Sequence, residues 1–497
     1  MNEVKTNYSI RFAIILTIAI VINLAFYWLP DSIFGLSVKK VDLLSDIRTY
    51  PETDINDLLA LLVDEDDEDE AAENQEATNN DSNSTQNTDT SQNTDITGNT
   101  DATQSADKVV RQGNDIYEDE KNSTSYTVNK EIEDFSYEST GMDRFFSALN
   151  NVDNLGRPVR IAFVGDSFIE GDIVVADFRA KMQERFGGKG VGFIPIESNV
   201  SQFRTTVKQS AKGWKTYSII KNRNRNYVIS GMEFEPATDD ASVSIQTSTL
   251  FPGLEEVPSL KFIYSKNEKT SIILKSDTDT ALYELPPTVN VTQYEMKSRF
   301  KKGTLQLKDS RGLNAIGMAI EDNRGVIVDN LALRGNSGII MSDLNSKNCR
   351  ELQHVRPYDL IILQYGLNVA SDSVRDYGWY RNSMVPVVEH IQNCFPGADI
   401  LILGVSDRSR KEGNDYSTMP AILALLRAQR QTAIKAEVTF WSTFAGMGGH
   451  NSMLKYVDYN WASKDYTHLS FRGGREVANA LFEAIINKKQ IYDELAE

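Results

Sequence analysis

The sequence predicts a doubly wound α/β domain interrupted by an all-β insert, behind an apolar N-terminal run and an acidic linker. Three observations carry this. Strand and helix patterns alternate from about Gly141 and again from Val326, but between about Ser201 and Asn323 the apolar period falls from 3.6 to 2. Phe12 to Leu29 is an apolar run of 18 residues, broken only by Thr17 and Asn23. Between them lies a tract of Asn, Thr, Ser, Asp and Gln with no apolar periodicity. The expected segments are therefore 1–11 (cytoplasmic N-terminus), 12–29 (transmembrane anchor), 30–140 (linker), 141–199 and 325–497 (the two parts of the α/β domain) and 200–324 (the insert).

At about 1.5 Å per residue the N-terminal run approaches the ~30 Å hydrocarbon core. Lys5 and Arg11 precede it, and Tyr27, Trp28 and Asp31 end it, so the N-terminus is expected in the cytoplasm and the rest outside. The one small-residue cleavage site, Gly35-Leu36-Ser37, is poor, and no cysteine follows to take a lipid, so an uncleaved single-pass anchor in the cytoplasmic membrane is expected. Asp54 is placed to cap a short helix to Val63.

Seven consecutive acids, Asp64 to Glu70, open the tract. Residues 64–140 hold 22 acids and 4 bases, a net of −18, which equals the charge of the whole chain. The remainder is neutral overall, and the low pI describes this segment alone. A flexible coil of ~75 residues spans roughly 50 Å, and charge repulsion extends it, so it reads as a disordered tether. No Lys/Arg stripe interleaved with aromatics occurs, which argues against a nucleic-acid partner.

Order is expected from Gly141, with a helical pattern at Met142, Phe145, Phe146 and Leu149. Ile161 to Val164 is a buried strand, Gly165-Asp166-Ser167 a turn, and Asp177 to Phe186 a helix. The glycine-dense Gly187 to Phe193 loop lacks a lysine followed by Ser/Thr and follows a helix rather than preceding one, so it is no phosphate cradle. In the insert, Tyr227–Ser230, Ser242–Gln246, Leu260–Tyr264, Ser271–Leu274 and Thr304–Leu307 are expected strands of a β-sandwich. Trp214, Tyr217, Tyr264, Tyr283 and Tyr294 are its candidates for stacking on sugar rings or for core. Strands then follow at Val326–Leu331, Leu360–Gln364, Ile400–Leu403 and Val438–Trp441, with helices at Trp379–Gln392, Met419–Ala436 and Gly474–Asn487. Cys349 and Cys394 each close a helical stretch and read as buried apolar residues rather than a disulfide framework. His354 and His390 read as structural, and His450 as a solvated loop residue or one lining a pocket mouth.

Four blocks fall at strand ends or in the final loop: Gly165-Asp166-Ser167, Asn330 to Gly338, Tyr365-Gly366-Leu367-Asn368 and Asp465-Tyr466-Thr467-His468. In this order they resemble the SGNH (GDSL-type) hydrolases, over residues 141–199 and 325–497. The resemblance implies a flavodoxin-like fold and no cofactor or metal. It also implies Ser167 as nucleophile, His468 as base, Asp465 as its orienter, and an oxyanion hole from Ser167, Gly335 and Asn368. The residue chemistry agrees: neutral His468 takes the serine proton, Asp465 steadies the imidazolium, and one oxyanion donor contributes roughly 3–4 kcal/mol. The alternative readings are ordinary: Asp-x-x-His as a metal pair or cap, Gly335 as a turn glycine, Asn368 as a helix cap. No other His, Cys or Asp stands at metal-ligand spacing.

Gly171-Asp172, Gly190-Val191-Gly192-Phe193, Met447-Gly448-Gly449 and Lys464-Asp465 resemble the bacterial peptidoglycan O-acetylesterase and O-acetyltransferase branch, as does a β insert resembling carbohydrate-binding domains. Three functions stay open. One is an exported esterase acting on an acetylated cell-wall glycan. Another is a transferase fed by a membrane acyl-donor protein, and the third a tethered glycan-binding protein with a vestigial site.

Overall fold

The computed structural model describes residues 130–496, together with a pairing of Ser32–Ile33 with Leu36–Ser37. The Phe12–Leu29 run, the Asp54–Val63 helix and most of the acidic tract lie outside the described residues. Among the described residues no helix is long and apolar enough to cross a membrane.

The α/β part is built on a six-stranded sheet in the order Val326–Ala332, Val159–Gly165, Leu360–Gln364, Asp399–Gly404, Thr439–Ser442, Glu133–Asp134. The first five strands are parallel, and Glu133–Asp134 joins antiparallel at the edge. Numbered along the chain, the parallel strands run 2-1-3-4-5, the flavodoxin-like order. Their continuous apolar runs follow from being covered on both faces. Helices Asp143–Asn150, Val175–Phe186, Ser346–Val355, Gly378–Cys394, Pro420–Lys435 and Phe471–Ala496 supply the cover.

The sheet thus reaches Glu133, earlier than the Gly141 expected as the start of order. Two acidic residues on an edge leave no periodic signal, yet they are held: Glu133 clamps Arg430 (2.9 Å) and Asp134 pairs with Lys488 (3.1 Å).

The insert is a sandwich of two antiparallel sheets around its own core of residues such as Val243, Phe262, Ile272, Leu305 and Met318. One sheet holds Val207–Lys212, Ser242–Thr247, Lys302–Lys308, Ser271–Ser276 and Thr280–Glu284. The other holds Trp214–Ser218, Met232–Pro236, Asn314–Ile320, Leu260–Lys266 and Thr292–Met296, and Gly192–Ile194 pairs with Asn314–Ile320. The glycine-dense loop therefore ends as a strand of the sandwich. Its glycines allow close backbone passage: a Cβ at Gly188 would lie 2.5 Å from the Val326 carbonyl oxygen, where the chain re-enters the α/β part.

Tyr227–Ser230 is not a strand but an irregular and turn segment. Tyr227, Val228 and Ile229 are buried in the core of the α/β part, so their apolar character serves that packing rather than pairing within the insert. Tyr264 is fully buried and is core rather than a surface platform.

Buried charge joins the two parts. Glu321, at the end of the insert, lies 2.7 Å from Arg160, Lys261 and Arg356, and Arg356 also meets Asp329 at 2.7 Å. Asp329 accepts from the Tyr358 hydroxyl (2.8 Å) and the Phe193 N–H (2.8 Å). Burial alone pushes the Glu321 carboxyl up, but the three cations hold it well below the carboxylate range.

Both cysteines are buried and free. Cys394 closes its helix, whereas Cys349 sits in the first turn of Ser346–Val355, a helix that carries on another six residues past it, 355 − 349.

Candidate active site

The 2-1-3-4-5 order reverses between the first and third strands, and the crevice at their carboxyl ends is where such sheets take ligands. Ser167 leaves the first strand, Gly335 the second and Asn368 the third, while Asp465 and His468 stand on the loop before the last helix.

Local chemistry sets the serine turn. Asp166 is fully buried, and its Oδ1 accepts the Phe168 N–H at 2.9 Å, an Asx turn that brings Ser167 out half-buried at the sheet edge. The Ser167 hydroxyl makes no hydrogen bond among the described residues, and the N–H groups of Ser167 and Gly335 have no acceptor among them either. Donors left free at a sheet edge are suited to an incoming anion. Burial pushes the Asp166 carboxyl up to about 7, against the Phe168 N–H and the charge of nearby His468.

The Gly335 turn has φ +73. Arg334 beside it reaches back to Glu170 of the serine turn, Nη2 to Oε2 at 2.6 Å. Asn368 Nδ2 donates to the Asn336 carbonyl at 3.0 Å and lies 3.5 Å from Asp166 Oδ2. All three loops are thereby laced together.

His468 Nδ1 lies 2.5 Å from Asp465 Oδ2. The other carboxylate oxygen accepts from Ser463 Oγ, from the Thr467 N–H (2.9 Å) and from the His468 N–H (3.0 Å). Burial opposes the Asp465 charge, but these bonds, His468 first, hold the carboxyl well below its usual range. With Nδ1–H given to an ionised partner, Nε2 keeps the lone pair that a general base needs. The loop is pinned by its own Ser463 N–H to His468 carbonyl bond (2.8 Å).

Three supports were given no role from the sequence, although Asp172 stands in the Gly171-Asp172 motif. Asp172 is fully buried at φ +69 and is held by Arg179 (3.2 Å), Arg204 (2.9 Å), Asn330 (2.7 Å) and the Thr206 hydroxyl. Arg204 and Thr206 belong to the insert, so the insert packs directly behind the serine turn. A hairpin, Ser409–Glu412 with Asp415–Thr418, stacks Tyr416 on Tyr466 of the histidine loop at 4.0 Å and 16°. Its Gly413-Asn414 turn was the available signal. Ser463 is the third, with nothing in the sequence to mark it.

The other histidines stand apart. His390 Nε2 meets the Leu344 carbonyl at 2.9 Å inside its helix, and His354 and His450 are exposed. Among the described residues no cluster of three or more His, Cys, Asp or Glu is arranged for a metal.

No protein-family profile matches the chain, and no curated protein matches it in sequence. Solved structures do, in 28 chains. A peptidoglycan O-acetylesterase described as in action superposes with a TM-score of 0.60 at 19% identity, over 72% of this chain and 99% of that one. A family two carbohydrate esterase from Cellvibrio japonicus matches at 11% identity over 57% of this chain and 98% of that one, with a TM-score of 0.25. The carbohydrate acetylesterase Est24 from Sinorhizobium meliloti matches at 16% over 33% and 79%, with a TM-score of 0.24. Overlap as low as the last two carries no argument. The first establishes the fold: this chain shares the architecture of that structure, and its α/β part has the flavodoxin-like strand order that the four blocks implied.

Proposed function

We propose that this chain, folded as an SGNH hydrolase, is a serine esterase that removes O-acetyl groups from a cell-envelope carbohydrate, with peptidoglycan as the polymer. One observation carries the reading. The His468–Asp465 pair at 2.5 Å and the N–H groups of Ser167 and Gly335, without an acceptor among the described residues, belong to loops gathered at one sheet edge.

In this reading Ser167 Oγ attacks the acetyl carbonyl while its proton passes to His468 Nε2. Asp465 stays ionised and steadies the imidazolium. The tetrahedral oxyanion takes the Ser167 and Gly335 N–H groups and the Asn368 amide. Collapse expels the sugar hydroxyl, which receives the proton from His468, and leaves acetyl-Ser167. Water, deprotonated by the same nitrogen, attacks the acetyl carbon. Acetate leaves and the serine regains its proton.

The Phe12–Leu29 run as anchor and the acidic tract as tether fit work on a polymer outside the membrane, and both belong to the proposal. The test is acetate release from O-acetylated peptidoglycan by the full chain, with and without an added acyl donor. Release into water at a rate indifferent to acyl acceptor supports the esterase. Acetate that appears on glycan only when donor is present overturns it in favour of transfer.

A further inference from the structure

Helix Ser346–Val355 packs beside the insert along a seam that the proposed chemistry leaves unused. Two clefts open there, of about 630 Å³ and 550 Å³, and Lys347 lines both. Sharing Lys347 as a common wall, they are neighbours along one candidate groove. Its course follows from the topology. The helix leaves the loop after Val326–Ala332 at the carboxyl edge of the sheet and returns to the opposite edge to begin Leu360–Gln364. Asn345, Lys347 and Asn348 therefore lie toward the Ser167 edge. His354, seven residues beyond Lys347 (354 − 347), lies about 10 Å further down the flank.

The upper end is preformed by amides crossing the seam. Asn345 Nδ2 donates to Asn226 Oδ1 and Asn348 Nδ2 to the Asn226 carbonyl, both at 2.9 Å. Arg225 lies over the Tyr217 ring at 3.9 Å, its charge taken by Glu233 at 2.7 Å and by Glu235 at 2.5 Å. The remaining cations are less committed. Lys266 and Arg350 have no carboxylate partner among the described residues, and Lys347 meets Glu351 only at 3.6 Å with its side chain 71% exposed. Val289, 81% exposed, stands in the larger cleft beside Thr288 and Asn290 of the smaller one.

Amides suit hydroxyl and acetamido groups, loosely held cations suit carboxylates, and two open clefts side by side along a helix suit a polymer rather than a small molecule. Glu233, Glu235 and Glu351 along the same walls disfavour a polyphosphate. We propose that this groove is an accessory site for an extended, carboxylate-bearing, N-acetylated glycan strand, which it leads toward the Ser167 edge without taking part in chemistry. The proposal rests on the functional reading above for what happens at that edge.

The probe is insoluble peptidoglycan, co-sedimented with the full chain carrying Ser167→Ala so that nothing turns over. Two groove variants are added to that background: Lys347→Glu with Arg350→Glu, and Val289→Trp, which fills the groove without changing charge. Both are expected to weaken binding by roughly tenfold, ~1.4 kcal/mol. In chains that retain Ser167, both are expected to leave hydrolysis of a small aryl acetate unchanged. Unchanged sedimentation in either variant overturns the groove, and a loss with charge reversal alone marks general surface attraction. Loss of aryl acetate hydrolysis also overturns it, because the groove would then belong to the reaction. Equal competition by free stem peptides lacking sugar would make the occupant a peptide and overturn the glycan assignment. If wild type sediments, both variants fail to, and no acetate is ever released, the groove stands and the proposed chemistry falls.

Discussion

The amide nitrogen of Asn368 stands 3.5 Å from Oδ2 of Asp166 and 3.0 Å from the carbonyl of Asn336. An amide has two N–H donors, and both point at protein acceptors here. The longer bond is the weaker, so a substrate oxygen takes over that proton at little cost. Asn368→Ala is therefore expected to lower kcat ~100-fold or more with KM nearly unchanged, since the gain is realised on the developing charge. Steady-state kinetics on an aryl acetate checks this, and a change confined to KM would make Asn368 a ground-state binder.

Ser167→Ala deletes one hydroxyl that has no hydrogen-bond partner among the described residues. Thermal unfolding should stay within a degree or two of wild type while ester turnover disappears. Residual turnover at the wild-type rate would remove Ser167 from the chemistry.

Asp166 makes stability depend on pH in a stated direction. Its carboxyl is near 3.8 when unfolded and about 7 when buried, so the folded state holds the proton more tightly. That contribution is fully present below about pH 4 and is lost as pH rises through 7. Asp166→Asn should therefore narrow the fall in Tm between pH 5 and pH 8. An unaltered fall would assign it to Asp399, whose burial likewise raises its carboxyl to about 7. Asp172, Asp465 and Glu321 work oppositely, losing their contribution only as pH drops below the carboxylate range.

Arg356→Met leaves Glu321 and Asp329 buried with their shared cation gone. Removing one partner from such a cluster costs about 3–5 kcal/mol. Urea unfolding checks the value, and a loss below ~1 kcal/mol would mean that Arg160 and Lys261 alone satisfy the site.

The legible parts were those in which one physical demand dominates. Ile161–Val164, Leu360–Leu363 and Ile400–Leu403 had to be apolar throughout because helices cover both sides, and the Ser167 and Asn368 blocks follow the first two of them. Tyr227–Ser230 misled because burial against a neighbouring core demands the same residues as strand pairing. The ion clusters at Asp172 and Glu321 left no trace: each charge is answered by a partner from 7 to 161 positions away, beyond any local pattern. The Ser409–Thr418 hairpin is mostly charged and polar on both faces, since its work is to brace Tyr466 rather than to fill a core.

The edge strand Glu133–Asp134 has a mechanical consequence. The segment preceding it enters the fold at the side of the sheet farthest from Val326–Ala332, across five strand spacings or about 24 Å. Any pull transmitted from upstream first meets the Trp441 indole on the Lys130 carbonyl (3.0 Å), then the Arg430 clamp on Glu133, then the Lys488 pair. None of these fastenings falls on the strands that lead to Ser167, Gly335 and Asn368. Were the upstream segment the proposed tether, its tension would enter at the edge strand, three strands from the one that leads to Asn368.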